Sequence, residues 1–238
     1  MKNKKVSIII PARNEEEFIQ KTLESLKNTG NFCSEIIVVV NGSNDKTFEV
    51  SRFYTNKVLN FRKAIGPSAA RNEGAKIASG DILVFLDADT EIGSGVLPKI
   101  IENFNSNIIG VCSADIEKGK TDKRLRAKVF FEFRNFIHKT NIYRGSIALI
   151  FCGRELFLKI GGFNESMWVG ELGDFIKKAI KAEAKYKFMS DCYIVTSLRR
   201  YEKEWGYVRM FLFWIRWRTL SLFRAEEKLS KSYFKIEK

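Results

Sequence analysis

Two carboxylates separated by one small residue, Asp87-Ala88-Asp89, directly follow the strongly apolar stretch Ile82–Leu86. Such a pair at the mouth of a buried strand can bind a hard divalent cation. Mg²⁺ takes one or two protein carboxylates and completes its coordination with waters and substrate phosphates. The pattern therefore predicts a metal-assisted phosphate site. A solvated turn can have the same spacing, so the interpretation depends on the elements around it.

A second pair of acids, Glu171 and Asp174, begins a stretch in which apolar residues recur at helical spacing. On a helix these two side chains share a face. Either one could act as a general base. The alternative is that both are first-turn acids that interact favourably with the helix dipole.

The first 115 residues alternate short β-branched runs with helical patterns. Strands are predicted at 6–10, 35–40, 57–60, 81–86 and 108–113, and helices at 15–27, 45–53, 67–79 and 94–103. Continuous apolar strands alternating with helices indicate an α/β fold with a Rossmann-like, mostly parallel sheet flanked by helices. Such sheets bind ligands at the carboxyl ends of their strands. The residues predicted there lie at 11–15, 41–45 and 87–89: Pro11, Ala12, Arg13, Asn14, Glu15, Asn41, Gly42, Ser43, Asn44, Asp45, Asp87, Ala88 and Asp89.

The second half is less regular. It contains a basic, Phe-rich helical pattern at 123–139, a strand at 146–152, a Gly161-Gly162-Phe163 turn and short strands at 186–189 and 193–196. We expect one catalytic domain over 1–197, with halves 1–120 and 121–197, followed by a helical extension over 198–238. That extension interleaves aromatics with arginines, which suits a membrane interface. The alternatives are packing on the domain and a homodimer contact.

The net charge is +13, and residues 1–120 carry only one of these excess charges. The basic remainder suits an anionic partner. No apolar run approaches the length of a spanning helix, and no signal peptide is recognisable, so we expect a cytoplasmic protein, free or peripheral on the membrane. Four distant cysteines and one histidine favour free thiols over a zinc site or redox pair. No dinucleotide fingerprint, P-loop or nucleic-acid-reading motif is present.

Five motifs occur in order over roughly residues 5–175: VSIIIPARNE at 6–15, IIVVVNGSND at 36–45, ARNEG at 70–74, GDILVFLDAD at 80–89 and GGFNE at 161–165. In this combination the sequence resembles the family 2 glycosyltransferases of the GT-A fold. The resemblance implies a hexosyltransferase-type enzyme that moves a sugar from a nucleotide-sugar to an acceptor. It also implies inversion at the anomeric carbon and help from Mg²⁺ or Mn²⁺.

The resemblance also implies roles for individual residues. Pro11, Ala12 and Glu15 would border the nucleoside. Arg71 would face the base or diphosphate, Asp87 the ribose and metal, and Asp89 would be the principal metal ligand. Arg199 and Arg200 resemble the family's paired arginines; they could bind diphosphate or acceptor phosphate, and the alternative is that they are solvated surface residues. Asn41 stands where most members have an Asp that contacts the base. Because an amide can donate as well as accept, the donor could be UDP- or GDP-linked.

The family usually supplies its base from a Glu-Asp pair after the Gly-Gly-Phe turn. Here Glu171 matches the Glu, but Leu172 stands in the place of the Asp. A phosphate monoester is already largely ionised at neutral pH. One hypothesis is therefore a polyprenyl-phosphate acceptor, which would need positive charge more than a base; the other is a glycan hydroxyl. A catalytically degenerate binding protein of the same fold is the alternative function.

Overall fold

The computed structural model describes residues 4–116, residues 132–139 in part, and residues 148–197. The predicted extension over 198–238, with Arg199 and Arg200, lies outside the described residues, as does most of the predicted helix at 123–139. The described positions within 132–139 are helical. Within these ranges, no helix is both long enough and apolar enough to cross a membrane.

A single mixed sheet organises the described part of the chain. Its strand order is β3-β2-β1-β4-β7-β6-β8-β5. Strands β1 to β4 are mutually parallel where they pair, β6 is parallel to β8, β7 is antiparallel to β4 and β6, and β5 is antiparallel to β8. The mostly parallel α/β architecture is confirmed. The strands are β1 Val6–Ala12, β2 Glu35–Asn41, β3 Lys57–Phe61, β4 Ile82–Leu86, β5 Thr90–Ile92, β6 Ile108–Ile116, β7 Leu149–Gly153 and β8 Lys185–Thr196.

Helices cover both faces of this sheet. On β1, Ile8 and Ile10 pack into one hydrophobic cluster and Ile9 into the other. This two-sided burial explains why the strands are continuously apolar rather than alternating. Helices α1, α2 and α4 contribute to the first cluster, and α3, α5 and α6 to the second. Their bounds are α1 Ile19–Lys27, α2 Thr47–Tyr54, α3 Pro67–Ile77, α4 Val96–Glu102, α5 Arg154–Lys159 and α6 Glu171–Lys181.

Several predicted boundaries were wrong. The first helix begins at Ile19 rather than residue 15, because the carbonyl of Glu15 accepts hydrogen bonds from the N–H groups of Phe18 and Ile19 and closes a turn first. The two predicted strands at 186–189 and 193–196 are one strand, β8, with an irregularity in its pairing to β6. Strand β5 and helix α5 were not predicted, since each is very short.

At the amino-terminal edge of the parallel strands, the carboxylate of Glu35 holds four chain segments together. It accepts hydrogen bonds from the Ser7 hydroxyl, the Ser79 N–H and hydroxyl, and the Lys57 ammonium. Burial opposes ionisation of Glu35, but these donors outweigh it and hold its pKa at about 2, below the ordinary 4.5. Glu35 therefore stabilises the fold in its ionised form.

Replacing Glu35 with Gln is expected to cost about 2 kcal/mol of unfolding free energy at pH 7. Because the folded pKa lies below the unfolded value, this contribution is complete above about pH 4.5 and is lost as the pH falls towards 2. Urea unfolding at pH 7 and pH 2.5 measures the difference. Glu49→Gln, at an exposed position on α2, is the matched control. A cost for Glu35→Gln that does not shrink in acid would contradict this assignment.

Candidate active site

The loops that follow β1 and β2 form one rim at the carboxyl edge of the sheet. Asn14 takes a left-handed backbone conformation (φ 54°). Its N–H donates to the Ser43 hydroxyl oxygen at 3.1 Å, and its Oδ1 accepts from the Asn44 N–H at 2.9 Å. Arg13 beside it is exposed, whereas Ala12 is buried at the end of β1. The predicted nucleoside-binding loop is thus braced by the loop after β2.

Two polar residues of this rim are buried. The N–H of Glu15, which is 9% exposed, donates to the Thr47 hydroxyl oxygen at 2.8 Å. Asn41, which is 5% exposed, accepts a hydrogen bond on Oδ1 from the N–H of Ile65 at 2.7 Å. A backbone N–H can face only the oxygen of an amide, so the Asn41 group left for a ligand is the Nδ2 donor. An aspartate there would present an acceptor instead.

The Asp87-Ala88-Asp89 loop follows β4 and is fixed through its backbone. Three hydrogen bonds from separate parts of the fold hold it: Asp87 N–H to the Ala148 carbonyl at 2.8 Å, the Thr22 hydroxyl to the Ala88 carbonyl at 2.8 Å, and Ser197 N–H to the Asp89 carbonyl at 3.1 Å. Both aspartates are half-buried at the mouth of the strand, and Ala88 is buried. These hydrogen bonds therefore hold the loop in a fixed position, so it is not a free solvated turn.

Arg71 on α3 joins the two predicted groups of acids. Its Nη2 lies 2.7 Å from Asp87 Oδ1, and its Nη1 lies 2.9 Å from Glu171 Oε1. The Arg71 side chain is 4% exposed, against 25% for Asp87 and 12% for Glu171. Its Nε is buried without a hydrogen-bond partner in the described residues. Charge-assisted bonds of this kind are strong and directional. Arg71 therefore orients Asp87 on the loop after β4 and Glu171 on α6 at once.

Four phenylalanines pack together beneath these two ion pairs. The rings of Phe163 and Phe175 stack with centroids 4.1 Å apart, and Phe85 meets Phe163 edge-on at 4.9 Å. Phe157 packs beside them, 5.5 Å from Phe85. The Arg71 guanidinium carbon lies 5.6 Å from the Phe163 ring centroid. This cluster fixes the Gly-Gly-Phe turn and α6 against β4, the strand that carries Asp87.

Asn72 clamps the same turn. Its Oδ1 accepts from the Phe163 N–H at 2.9 Å, and its Nδ2 donates to the Phe163 carbonyl at 3.0 Å and to Glu165 Oε1 at 2.9 Å. Gly162 has φ +67°, and a Cβ there would lie 2.7 Å from Asn72 Oδ1. Asn72 was not among the residues predicted to form the site. The available signal was its place beside Arg71 in the ARNEG motif.

Replacing Asn72 with Asp is expected to destabilise the protein by about 2–4 kcal/mol. The oxygen that replaces Nδ2 would face the Phe163 carbonyl and the Glu165 carboxylate and would have no proton to donate to either. Thermal unfolding at neutral pH measures the loss. Asn60→Asp, at an exposed position on β3, is the matched control and should change stability by less than about 0.5 kcal/mol. Equal effects of the two substitutions would argue against the clamp.

The structure separates the two candidate bases. Glu171 contacts Arg71, and its Oε2 has no partner in the described residues. Asp174 has Oδ2 3.6 Å from the Lys178 ammonium, an ion-pair distance too long for a hydrogen bond. Only Glu171 is therefore tied to Asp87. Leu172, which stands in the place of the family's Asp, packs against the hydrophobic cluster beneath α6.

The carboxylates at this edge could bind a divalent ion only if substrate oxygens and waters completed its coordination. Across the described ranges, no group of three His, Cys, Asp or Glu side chains could hold a metal by itself. Asp87 already gives Oδ1 to Arg71. Two carboxylates on a fixed loop match the way Mg²⁺ and Mn²⁺ are bound together with diphosphate oxygens and waters. The chemistry of the residues thus fits the predicted ion.

Known proteins are similar to this chain in sequence or in fold. The dolichol-phosphate mannosyltransferase of Pyrococcus furiosus is 36% identical over 151 residues, which cover 61% of this chain and 41% of that protein. The chain thus spans less than half of that relative's length.

Among solved structures, mannosyltransferase PcManGT from Pyrobaculum calidifontis, in complex with GDP-Man and Mn²⁺, aligns with a TM-score of 0.66 at 18% identity, covering 81% of this chain and 56% of that one. S. aureus TarS 1–349 in complex with UDP-GlcNAc gives 0.62 at 22% identity, over 81% and 58%. At these identities the likeness establishes the GT-A fold. The sequence profile described as "Glycosyl transferase family 2" matches residues 7–161. The chain therefore belongs to glycosyl transferase family 2.

Proposed function

We propose that the chain transfers a sugar from a nucleotide-sugar to an acceptor, with inversion at the anomeric carbon. The observation that carries the proposal is the buried Arg71 guanidinium, which joins Asp87 of the donor edge to Glu171 of the acceptor side. Residues 1–197 would form the catalytic domain, with the donor half at 1–120 and the acceptor half at 121–197.

The donor would lie across the rim formed by the loops after β1 and β2. Pro11, Ala12, Arg13, Asn14 and Glu15 would border the nucleoside. Asn41 would donate Nδ2 to a carbonyl oxygen of the base, since its Oδ1 is used by Ile65. Both uracil and guanine carry such an oxygen. The complexes of TarS with UDP-GlcNAc and of PcManGT with GDP-Man support a UDP- or GDP-linked donor.

The diphosphate would lie against the Asp87-Ala88-Asp89 loop. Mg²⁺ or Mn²⁺ held by Asp89 and Asp87 would neutralise charge on the leaving diphosphate. Arg71 would keep Asp87 oriented, and its buried position limits competition from water. Arg199 and Arg200 would add positive charge towards diphosphate or acceptor phosphate.

For the acceptor, we propose a polyprenyl phosphate. An ionised phosphate can attack without first losing a proton, which is consistent with Leu172 in the place of the family's base. The name of the Pyrococcus furiosus relative, dolichol-phosphate mannosyltransferase, supports this acceptor class. If the acceptor were a glycan hydroxyl, Glu171 would take its proton on Oε2. Asp174 faces Lys178 instead and would then be a structural first-turn acid.

Such an acceptor would bring the protein to the cytoplasmic face of the membrane. Phe133 and Phe136 are 58% and 61% exposed on described helical positions. Residues 117–147, which contain them, have nine Lys/Arg against three Asp/Glu. The Asn135 side chain donates a hydrogen bond to the Ala114 carbonyl at 3.1 Å. Exposed aromatics within a basic segment suit an anionic lipid surface, and the extension over 198–238 would contribute further aromatics and arginines.

Replacing Phe133 and Phe136 together with Ser is expected to reduce co-sedimentation with anionic phospholipid vesicles at least about fivefold. Removing two rings that would be buried in the lipid surface costs roughly 1–2 kcal/mol or more of the free energy of membrane binding. Phe53→Ser, at an 80% exposed position on α2, is the matched control and should bind vesicles like the unaltered protein. Unchanged vesicle binding by the double variant would remove this segment from the proposed membrane contact.

A thermal-shift panel tests the donor assignment. UDP-, GDP- and dTDP-linked sugars are added with and without Mn²⁺, and binding to the native state raises the melting temperature. One nucleotide class should raise it more in the presence of the ion. Asn41→Asp should reduce the shift given by that class, because it replaces the free Nδ2 donor with an acceptor. A folded protein that responds to no donor would contradict the proposed function.

A further inference from the structure

An irregular pairing between β6 and β8 brings two distant cysteines together. The register runs from Cys112 opposite Met189 to Ser113 opposite Tyr193. Cys112 and Ser113 are adjacent on β6, but their partners on β8 are separated by three residues without a partner on β6, Ser190, Asp191 and Cys192. Bulges of this kind bend a strand and redirect its side chains. Here the bulge directs Cys192 towards Cys112.

The two thiols are in contact. Their Sγ atoms lie 3.9 Å apart. Cys112 is 2% exposed and Cys192 is 7% exposed, and both belong to the same hydrophobic cluster. The S–S bond of a disulfide is about 2.05 Å long, so closing the bond would bring the two Sγ atoms closer by roughly 2 Å.

The surroundings of Cys192 favour its thiolate. The hydrogen bond with the Cys112 thiol lowers the pKa of Cys192, and the charge of Lys99 adds to this effect. Burial and the charge of Asp191 act in the opposite direction, but the pKa of Cys192 stays below its ordinary value. The Lys99 ammonium is fixed at the bulge by the Asp191 carbonyl at 2.5 Å and its carboxylate at 2.6 Å. Burial raises the pKa of Cys33 to about 11. Burial also raises the pKa of Cys152.

We propose that Cys112 and Cys192 form a dithiol–disulfide site, which a low-molecular-weight disulfide oxidises to a covalent link between β6 and β8. The Cys192 thiolate attacks one sulfur of the oxidant, its S–S bond breaks, and one thiol leaves after taking up a proton. Cys112 then loses its proton to solvent and attacks the Cys192 sulfur, which releases the second thiol. Two protein thiols are oxidised and the small disulfide is reduced to two thiols.

The link would act on a strand that supports the candidate active site. Strand β8 continues from the bulge to Thr196, which pairs with Thr90, and to Ser197, whose N–H holds the Asp89 carbonyl. Oxidation would therefore link β8 covalently to β6, and β8 is the strand that supports the Asp89 loop. The site itself does not depend on the proposed transferase function, because it needs only the two thiols and the bulge.

Peptide mapping of the full chain after treatment with oxidised glutathione tests the proposal. The expected product is a Cys112–Cys192 cross-linked peptide without bound glutathione, reversed by dithiothreitol. In Cys112→Ala, glutathione should stay on Cys192, whereas Cys33→Ala should cross-link like the unaltered chain. The cross-linked protein should melt about 5 °C or more above the reduced form.

Two results would overturn the proposal. One is that Cys112 and Cys192 remain thiols under conditions that modify Cys33. The other is that the unaltered chain keeps glutathione on Cys192 without cross-linking. A cross-linked protein with an unchanged melting temperature would contradict the stabilising link between the strands. The mapping uses the unaltered chain, so it gives an answer even if a cysteine variant fails to fold.

Discussion

Replacing Asp89 with Asn is expected to lower kcat for sugar transfer by about 1,000-fold, while the protein stays folded. The substitution removes the charge that we propose to hold a divalent ion beside the leaving diphosphate, and it keeps the size of the side chain. Lewis-acid stabilisation of a leaving group is worth several kcal/mol, and about 4 kcal/mol corresponds to 1,000-fold in rate. The same variant should lose the Mn²⁺-dependent part of the thermal shift with donor.

The fold should survive because backbone atoms hold this loop. The Asp89 carbonyl accepts from Ser197, and the Ala88 carbonyl accepts from Thr22. Neither bond changes on substitution. Glu91→Gln is the matched control, since it removes a carboxylate two residues away on β5. We expect it to keep kcat within about threefold of the unaltered value. Comparable losses in both variants, or full activity in Asp89→Asn, would contradict the assigned role.

Replacing Arg71 with Met should lower the free energy of unfolding by about 3–5 kcal/mol and the melting temperature by about 10 °C. Methionine keeps much of the side-chain volume but removes the cation from a 4% exposed position. Asp87 and Glu171 would then face each other's charge without compensation. Activity measured well below the new melting temperature should also fall, because neither carboxylate would keep its orientation.

Two further variants separate charge from packing at this position. Arg52→Met, on the exposed side of α2, removes the same kind of side chain and should change stability by less than about 0.5 kcal/mol. Adding Glu171→Gln to Arg71→Met should restore part of the lost stability, since one of the two buried negative charges disappears. If the double variant is no more stable than the single one, the two ion pairs are not coupled as the distances indicate.

The position of the candidate site at the carboxyl edge of the sheet could be predicted from sequence, because it depends only on where each strand ends. An apolar run of five to seven residues followed by polar residues marks the end of a buried strand, and parallel strands place all such ends at one edge. Asn41 and Asp87 therefore come to the same side of the sheet without any knowledge of side-chain contacts. The ambiguous element was the carboxylate pair of α6, whose spacing puts Glu171 and Asp174 on one face. Only Arg71, 100 residues earlier, distinguishes them.

The periodicity of the sequence could not predict contacts between residues that are far apart along the chain. Asn72 clamps Phe163 from 91 residues away, and no periodicity indicates that an amide on α3 must satisfy a turn. The bulge that places Cys192 beside Cys112 is another case. The residues between the two predicted strands read as a break, whereas pairing to β6 carries the strand through it. The late start of α1 also follows from a tertiary bond, between Glu15 and Thr47.

Formation of a glycolipid product most directly tests the claim that this edge performs sugar transfer. The full chain is incubated with Mn²⁺, a polyprenyl phosphate and the nucleotide-sugar selected by the thermal-shift panel, and glycosylated lipid and released nucleoside diphosphate are quantified together. We predict equal amounts of both products, dependent on acceptor and ion, and abolished in Asp89→Asn. A folded protein that binds the donor but forms no glycosylated product with either polyprenyl phosphate or glycan acceptors would contradict the account and support the binding-protein alternative.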